Sequence, residues 1–299
     1  MNWVLVTVFG AFFQNLRSSL QKKLNKDIST IASTYVRFAF ALPFATILFF
    51  IFFRDLKIIN NILIQPGFLF NVLLASIFQI IFTFILLYLF NFSNFVVGTS
   101  LSKTEVIQVA LFEYLILNEK LNKFGISGII ISTLGVILLS IKDVKLFFNN
   151  LFSKTTLIGL ISGLFLALSV VYFRAAILTL DNISSNFGKA ISALFIGLFI
   201  QTLILTFYLI FFERSEFKKL YNDKYECLLT GIAGLFASLS WFYAFTLIQS
   251  SFVRALGQVE LLFSYFSSRY LFKEKVRFTE IIGIIIFVIG VTILLLSRT

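Results

Sequence analysis

Two otherwise apolar segments of the sequence each contain a cluster of polar and charged side chains. The first cluster is Thr99, Lys103, Glu105 and Gln108, and the second is Arg254, Gln258 and Glu260. If these segments lie in a membrane, each ionisable group costs roughly 2.5–3.5 kcal/mol to insert, so it marks an ion pair, a water-filled cavity or a solute path. These residue types suit the binding of a charged solute better than they suit catalysis.

The spacing within the clusters predicts shared helix faces. Thr99 and Lys103 are separated by one helical turn, as are Arg254 and Gln258, and a shift of 155 residues places the first pair on the second. Each half of the chain therefore offers one cation and one neutral polar group on equivalent faces. A cavity between those faces would favour an anion or a carboxylate-bearing zwitterion. The alternative is that the cations form internal ion pairs that hold the helices together.

Glu105 and Glu260 lie two residues farther along, near the opposite face of a continuous helix. A shift of 152 residues also relates Arg37 to Lys189, so each half contains a matching cation in another apolar run. The simplest interpretation pairs each acid with that cation. The functional alternative is a protonatable or gating carboxylate. Pairing would keep the acids ionised, which argues against proton coupling.

Other polar or aromatic residues within apolar runs are candidates for lining the same path. They are Gln14, Asn15, Gln79 and Trp241. Arg17 and Arg174 lie near the ends of their runs, where long side chains can extend to the lipid headgroups. We expect those two arginines to do so.

Composition excludes most other classes of protein. The 299 residues are 59% apolar and 13% charged, whereas a soluble domain has about 25% charged residues. No histidine and one cysteine exclude the common nucleophilic triads and histidine-containing zinc sites, so we expect no metal and no cofactor. The net charge of +11 does not indicate nucleic acid, because the cations lie mainly between apolar runs.

Ten apolar runs are each long enough to cross a bilayer as a helix, which takes about 20 residues. They are residues 3–20, 30–53, 67–90, 94–117, 124–141, 155–174, 185–212, 227–247, 250–272 and 278–297. The connections between them are short, and the longest polar stretch is residues 213–226. The sequence therefore predicts an all-α integral membrane protein with ten transmembrane helices.

The chain contains an internal repeat. The shift of 155 residues places Glu119-Lys120 on Glu274-Lys275, and it places Gly128 and Gly135 on Gly283 and Gly290. The predicted units are residues 1–145 and 146–299, with five helices each. Because five is odd, the second unit must enter the membrane in the opposite orientation. Inverted repeats are typical of transporters that bind substrate near the midplane.

Each unit ends in an apolar run, a Glu-Lys turn and a run with two glycines seven residues apart, a spacing that places both on one helix face. This pattern, present twice over essentially the whole chain, resembles the EamA domain of the drug/metabolite transporter superfamily. Asn118 and Lys273 replace the usual glycine of the turn, and Val106 and Leu261 replace a common proline after the acid. We expect the small residues to pack these runs against each other or against a second copy of the chain, which leaves a homodimer open.

The resemblance implies a carrier in the cytoplasmic membrane whose partners are a small-molecule substrate and the lipid bilayer. An amino acid or a related organic anion is favoured as substrate. The alternatives are a channel or a structural membrane subunit, and an integral-membrane enzyme ranks below both. The resemblance also implies that both termini face the cytoplasm. Thirteen loop lysines and arginines after the odd-numbered runs, against five on the other side, favour the reverse.

Overall fold

The computed structural model describes residues 2–89, 91–92, 100–141, 144–150, 152–181, 183–263, 265 and 278–297. Of the described residues, 85% are helical and none lies in a strand. The helices are α1 (Asn2–Leu24), α2 (Thr30–Ala39), α3 (Leu42–Phe52), α4 (Leu56–Ile64), α5 (Phe68–Leu89), α6 (Glu105–Leu117), α7 (Lys123–Ser140), α8 (Val144–Asn149), α9 (Lys154–Leu178), α10 (Asn186–Phe212), α11 (Glu216–Asn222), α12 (Lys224–Leu247), α13 (Ser250–Gly257) and α14 (Phe278–Leu296).

Polar residues at the ends of the apolar runs set where several helices begin. Ser29, Asn122, Ser153 and Ser185 each accept, through the side-chain oxygen, a hydrogen bond from the backbone amide three residues later. Such a cap satisfies one of the four amides that lack a partner within the helix, and removing it costs about 1 kcal/mol. Short polar connections therefore separate the long apolar helices.

Seven helical segments among the described residues are long and apolar enough to cross a membrane, so the predicted count of ten is not reached. Residues 94–117 and 250–272 contribute only shorter described helices, α6 and α13. The helix α1 is long, but it carries Gln14, Arg17 and two terminal lysines, which make it more polar than the seven. A polar helix fits this fold because Thr7, Gln14, Arg17 and Gln21 are buried against the other helices.

The helices of the two repeats pack in corresponding pairs. Contacts join α1 to α12 and α5 to α9, and they join α6 to α13 and α7 to α14. The sequence repeat relates α1 to α9 and α5 to α12, so the first two contacts are equivalent. Each pair contains one helix from each repeat, and the interior of the bundle is therefore an interface between the repeats.

The closest of these contacts joins α7 and α14 through glycines. A Cβ atom added at Gly128 would lie 2.9 Å from the Gly290 carbonyl oxygen, and one at Gly135 would lie 2.8 Å from that of Gly283. A Cβ atom at Gly290 would lie only 2.2 Å from the backbone nitrogen of Ser132. The two helices thus run antiparallel with their backbones in contact, which a larger residue would prevent.

Candidate functional site

Helical hydrogen bonding is interrupted immediately before both intramembrane acids. Residues 103–104 form a turn ahead of Glu105, and residues 258–259 form a turn ahead of Glu260. The breaks are 155 residues apart and are therefore equivalent in the repeat, although neither acid is followed by proline. Each acid lies in the first turn of the segment that follows, where the partial positive charge of a helix N-terminus stabilises a carboxylate.

Two ion pairs cross between the repeats at these breaks. Arg254 Nη2 donates to Glu105 Oε1, and Lys103 Nζ donates to Glu260 Oε1. Each acid of one repeat is therefore neutralised by a cation of the other. Asn15 Nδ2 also donates to the Glu260 carbonyl oxygen at 3.2 Å, which links α1 to the second break.

The expected pairing of the acids with Arg37 and Lys189 is wrong. Arg37 Nη1 instead donates to Thr83 Oγ1 at 2.8 Å, and half-buried Lys189 makes no salt bridge within the described part of the chain. The prediction failed because it assumed continuous helices. The break places Glu105 and Lys103 on the same cavity instead of on opposite faces, so the nearest cations lie across the interface.

A polar cavity of about 320 Å³ lies at the two ion pairs. Its polar lining residues are Gln14, Asn15, Ser18, Ser19, Lys22, Ser102, Lys103, Glu105, Arg254 and Glu260. Ser19 and Lys22 are exposed near the C-terminal end of α1, so the cavity extends to that end of the bundle. We call this end the mouth. The volume is that of a small-metabolite site.

A second, narrower cavity of about 20 Å³ continues inward from the first, with which it shares Gln14 and Arg254. Trp241 Nε1 donates to Gln14 Oε1 at 3.2 Å, and the Arg254 guanidinium lies 4.9 Å from the centre of the Trp241 ring. Gln79 also lines the cavity, and its Oε1 accepts from Gln201 Nε2 at 2.8 Å. This volume holds about one water molecule.

Aromatic rings close the inner end of the narrow cavity. Phe173, Phe242 and Phe245 line it, and the rings of Phe173 and Phe242 are 4.4 Å apart between centroids. Beyond these rings lies a network of polar groups around Arg174. The cavity therefore has a polar mouth at one end and an aromatic seal backed by polar groups at the other.

Arg174 joins four elements at the sealed end. Its Nε and Nη2 bind the two carboxylate oxygens of Glu119 at 2.9 and 2.5 Å, and its Nη1 donates to the carbonyls of Phe245 and Ile248 at 2.5 Å each. Glu113 Oε1 lies 3.5 Å from Arg174 Nε. The expectation that Arg174 extends to the headgroups is wrong, because these acceptors hold it inside the bundle.

Glu113 caps the N-terminus of α13. Its two carboxylate oxygens accept from the backbone amides of Ser250 and Ser251, at 2.5 and 3.1 Å, and from the Ser250 hydroxyl. Because Glu113 and Glu119 belong to the first repeat and α13 to the second, the network ties the repeats together. Sequence analysis missed Glu113, although an acid inside an apolar run was the available signal.

Arg17 also lies inside the bundle, contrary to the expectation that it reaches the headgroups. Its side chain is buried between α1 and α12, where Gly234 leaves room for it. The sequence shows that α1 contains an arginine near its end. It does not show that a glycine on a distant helix makes space for that arginine.

Two predicted path residues, Gln108 and Gln258, do not line either cavity. Gln108 Nε2 donates to Thr104 Oγ1 at 3.4 Å, and Gln258 Nε2 donates to the Lys103 carbonyl at 3.4 Å. Both side chains therefore form hydrogen bonds at the turns that interrupt the helices. Thr99 lies outside the described residues, as does the second Glu-Lys turn. Of the predicted residues, Gln14, Asn15, Gln79, Lys103, Trp241 and Arg254 line the cavities.

Comparison with known proteins identifies the family. The EamA-like transporter family matches residues 1–141 and 153–296, which are two repeats. No curated protein matches the sequence. A solved structure described only as "Crystal structure of protein" has a similar fold, with a TM-score of 0.68 over 100% of this chain and 99% of that one. At 12% identity, this likeness concerns the fold alone. The chain therefore belongs to the EamA-like transporter family, and it is a multi-pass membrane protein.

Proposed function

We propose that the chain is a carrier that moves a small solute across the cytoplasmic membrane by alternating access. An amino acid or a related organic anion is the favoured cargo. The observation that carries this proposal is the polar cavity of about 320 Å³ between the repeats, which extends to the mouth and continues through the narrow cavity to the aromatic seal. A path closed at one end suits a carrier better than a channel.

The proposed topology is ten transmembrane helices arranged as two inverted five-helix repeats, in residues 1–145 and 146–299. The equivalent contacts of α1 with α12 and of α5 with α9 support this arrangement. The antiparallel contact of α7 with α14, which are themselves equivalent in the repeat, supports it further. Alternating access would then be the rocking of one repeat against the other around the cavity.

The ion pairs supply the interactions that such a motion exchanges. Lys103–Glu260 and Arg254–Glu105 each join the repeats beside the cavity. An anionic cargo competes with the acids for the cations, so its binding loosens contacts between the repeats. A solute without differential affinity for the two states would shift nothing. Coupling of binding to motion therefore favours a charged cargo.

Counterflow in proteoliposomes tests the proposal. Vesicles containing the purified protein are loaded with amino acids and organic acids, and uptake of each labelled member is followed. We expect saturable exchange that falls at least tenfold in Lys103→Ala and Arg254→Ala. Lys23→Ala is the matched control, because it removes an exposed ion-paired lysine at the mouth end.

Each other result points to another function. Flux that neither saturates nor exchanges would indicate a channel. Exchange that both variants leave unchanged would keep the carrier but make the two cations purely structural. Folded protein that exchanges no member of the pool would contradict the proposed cargo. A partner protein that copurifies with it, in the absence of any exchange, would favour a structural subunit.

A further inference from the structure

Two buried arginines beside the cavity take no part in the ion pairs. Arg17 is 2% exposed and Arg37 is 6% exposed. Both side chains lie against Gly234, where an added Cβ atom would be 3.4 Å from Arg17 Cδ and 3.9 Å from Arg37 Cγ. The two guanidinium-bearing chains therefore run side by side, and their like charges repel.

Several nitrogens of this pair have no acceptor. Arg17 Nε and Nη1 and Arg37 Nε are buried and make no hydrogen bond, whereas Arg37 Nη1 donates to Thr83. Neither arginine forms a salt bridge within the described residues. Buried donors normally have acceptors, and a buried charge normally has a counterion. The pair thus presents N–H donors and positive charge suited to an anion.

The charges of the described residues around the cavities do not balance. Apart from Lys22, which is exposed at the mouth, the positive groups are Arg17, Arg37, Lys103 and Arg254, and the negative groups are Glu105 and Glu260. Four minus two leaves an excess of two positive charges. The Arg174 network is a separate cluster beyond the aromatic seal and does not alter this balance. A solute with two negative charges would neutralise the excess, and one with a single negative charge would not.

Arg37 is within reach of a solute that enters from the mouth, and Arg17, which lines neither cavity, lies beside it. Arg37 lines the narrow cavity, which shares Gln14 and Arg254 with the wide one. Gln14 lies one helical turn before Arg17 on α1, so both occupy the same face. An anionic group moving inward from the Lys103–Glu260 pair would meet Arg37 at the narrow cavity, which must widen from the volume of one water molecule to admit it, and Arg17 lies beside Arg37 against Gly234.

We propose that Arg17 and Arg37 form the binding site for the anionic group of a small organic dianion, either a dicarboxylate or a phosphate monoester. This rests on the proposed function, in that the dianion is the transported cargo. A planar guanidinium can bind two oxygens of a carboxylate or a phosphoryl group at once, which a lysine cannot. Two adjacent guanidinium groups therefore recognise both the shape and the charge of such a group.

Equilibrium binding to the purified protein in detergent tests the site without transport. The probes are succinate for a dicarboxylate, inorganic phosphate for a phosphoryl group, and acetate as a singly charged control. We expect succinate or phosphate to bind, and acetate to bind at least tenfold more weakly. Which of the first two binds more tightly identifies the anionic group.

Arg17→Lys and Arg37→Lys keep the charge but remove the planar fork, so they are the variants best able to fold. We expect each to weaken binding of the preferred dianion at least tenfold, and Arg17→Gln and Arg37→Gln to weaken it further. Lys23→Gln, which removes an exposed cation, should leave the affinity unchanged. Size-exclusion chromatography shows which variants remain folded.

The outcomes separate this site from the proposed function. Dianion affinity that is unchanged in the folded lysine variants, or acetate binding as tightly as succinate and phosphate, would overturn the site. Counterflow of other solutes that dianions do not inhibit would leave the carrier standing without the site. Arginine-dependent dianion binding without any counterflow would establish the site and remove the carrier.

Discussion

The two ends of the bundle hold the repeats together by different means. At the mouth end, the one salt bridge between the repeats among the described residues joins Lys23 on α1 to Glu226 on α12 at 3.4 Å, with the lysine side chain 68% exposed, and Ser29 donates hydrogen bonds to Glu213 and Glu216. At the sealed end, Arg174 is 7% exposed and binds the Glu119 carboxylate and two carbonyls, with Glu113 close by. Exposed pairs contribute little to stability, whereas breaking a buried one is expensive. In the alternating access proposed above, this difference would make the sealed end the one that controls the conformational change.

Opening the sealed end must replace the interactions of Arg174. Separating it from its acceptors in a dry interior would leave a buried charge without a partner, which costs several kcal/mol. Water that enters as the helices part can take the place of those acceptors. Opening and hydration are therefore expected to occur together, and the strength of the network sets how often the alternative state is populated.

Arg174→Gln should have the largest effect. It leaves Glu113 buried with its Ser250 and Ser251 donors but no cation, so we expect a loss of about 3 kcal/mol, at the low end for a broken buried pair. Thermal unfolding in detergent measures this loss. In a Trp3→Phe background, acrylamide should also quench Trp241 more strongly, because the seal beside it loosens. An unchanged Tm together with unchanged quenching would show that the network does not hold the sealed end.

The two ion pairs inside the cavity also differ in how far their side chains are buried. The Glu105 side chain is 1% exposed, whereas that of Glu260 is 11% exposed and lies nearer the mouth. Glu105→Gln should therefore cost about 2 kcal/mol and Glu260→Gln about 1 kcal/mol. The measurement is Tm for both variants, with the exchanged pair Lys103→Glu/Glu260→Lys as a test for rescue. Equal losses, or a larger loss for Glu260→Gln, would contradict the ranking by burial.

Much of the fold follows from the sequence, because its signals are local or repeated. Long apolar runs must become helices in a membrane, since no other partner there satisfies their amides. The glycines at 128, 135, 283 and 290 have the spacing of a close helix contact, and the structure places them opposite one another. Which residues line the cavity was predictable in part, because intramembrane polar groups are rare.

The sequence does not predict which charged side chains contact each other. These contacts depend on where the helices break and on the space that neighbouring helices leave. The turn at residues 103–104 places Glu105 on the same cavity as Lys103. Because no proline follows Glu105, no local sequence pattern predicts this turn. Arg17 points inward because Gly234 on α12 makes room for it. Arg174 on α9 is held by acceptors from two distant stretches of the chain, residues 113–119 and 245–248, which only the tertiary packing brings together.

Gly257→Ala tests how tightly Trp241 is packed beside the aromatic seal. We expect its effect on Tm to be intermediate between those of Arg174→Gln and Lys23→Ala. A Cβ atom at Gly257 would lie 2.4 Å from Trp241 Cη2, so the indole must shift and its hydrogen bond to Gln14 must lengthen. Overpacking of this kind costs roughly 1–2 kcal/mol. We expect a lower Tm and a shift of the Trp241 emission in the Trp3→Phe background. Gly125→Ala is the matched control, because its new methyl would meet only the ends of three side chains, none closer than 3.1 Å. Equal effects of both substitutions would count against a tightly packed Trp241.

Lys23→Ala should have the smallest effect, and it probes the mouth directly. The lysine is largely exposed, and water and salt screen its attraction to Glu226, so its removal should leave Tm and exchange without measurable change. Arg174→Gln at the other end of the same helix bundle provides the contrast. The two ends should also respond differently to salt. Rising ionic strength weakens the exposed Lys23–Glu226 pair but not the buried Arg174 network. A clear loss of Tm in Lys23→Ala, insensitive to salt, would mean that this pair is buried in the membrane-embedded protein. In that case the mouth would be closed too, and the asymmetry between the two ends, on which the proposed carrier mechanism depends, would not exist.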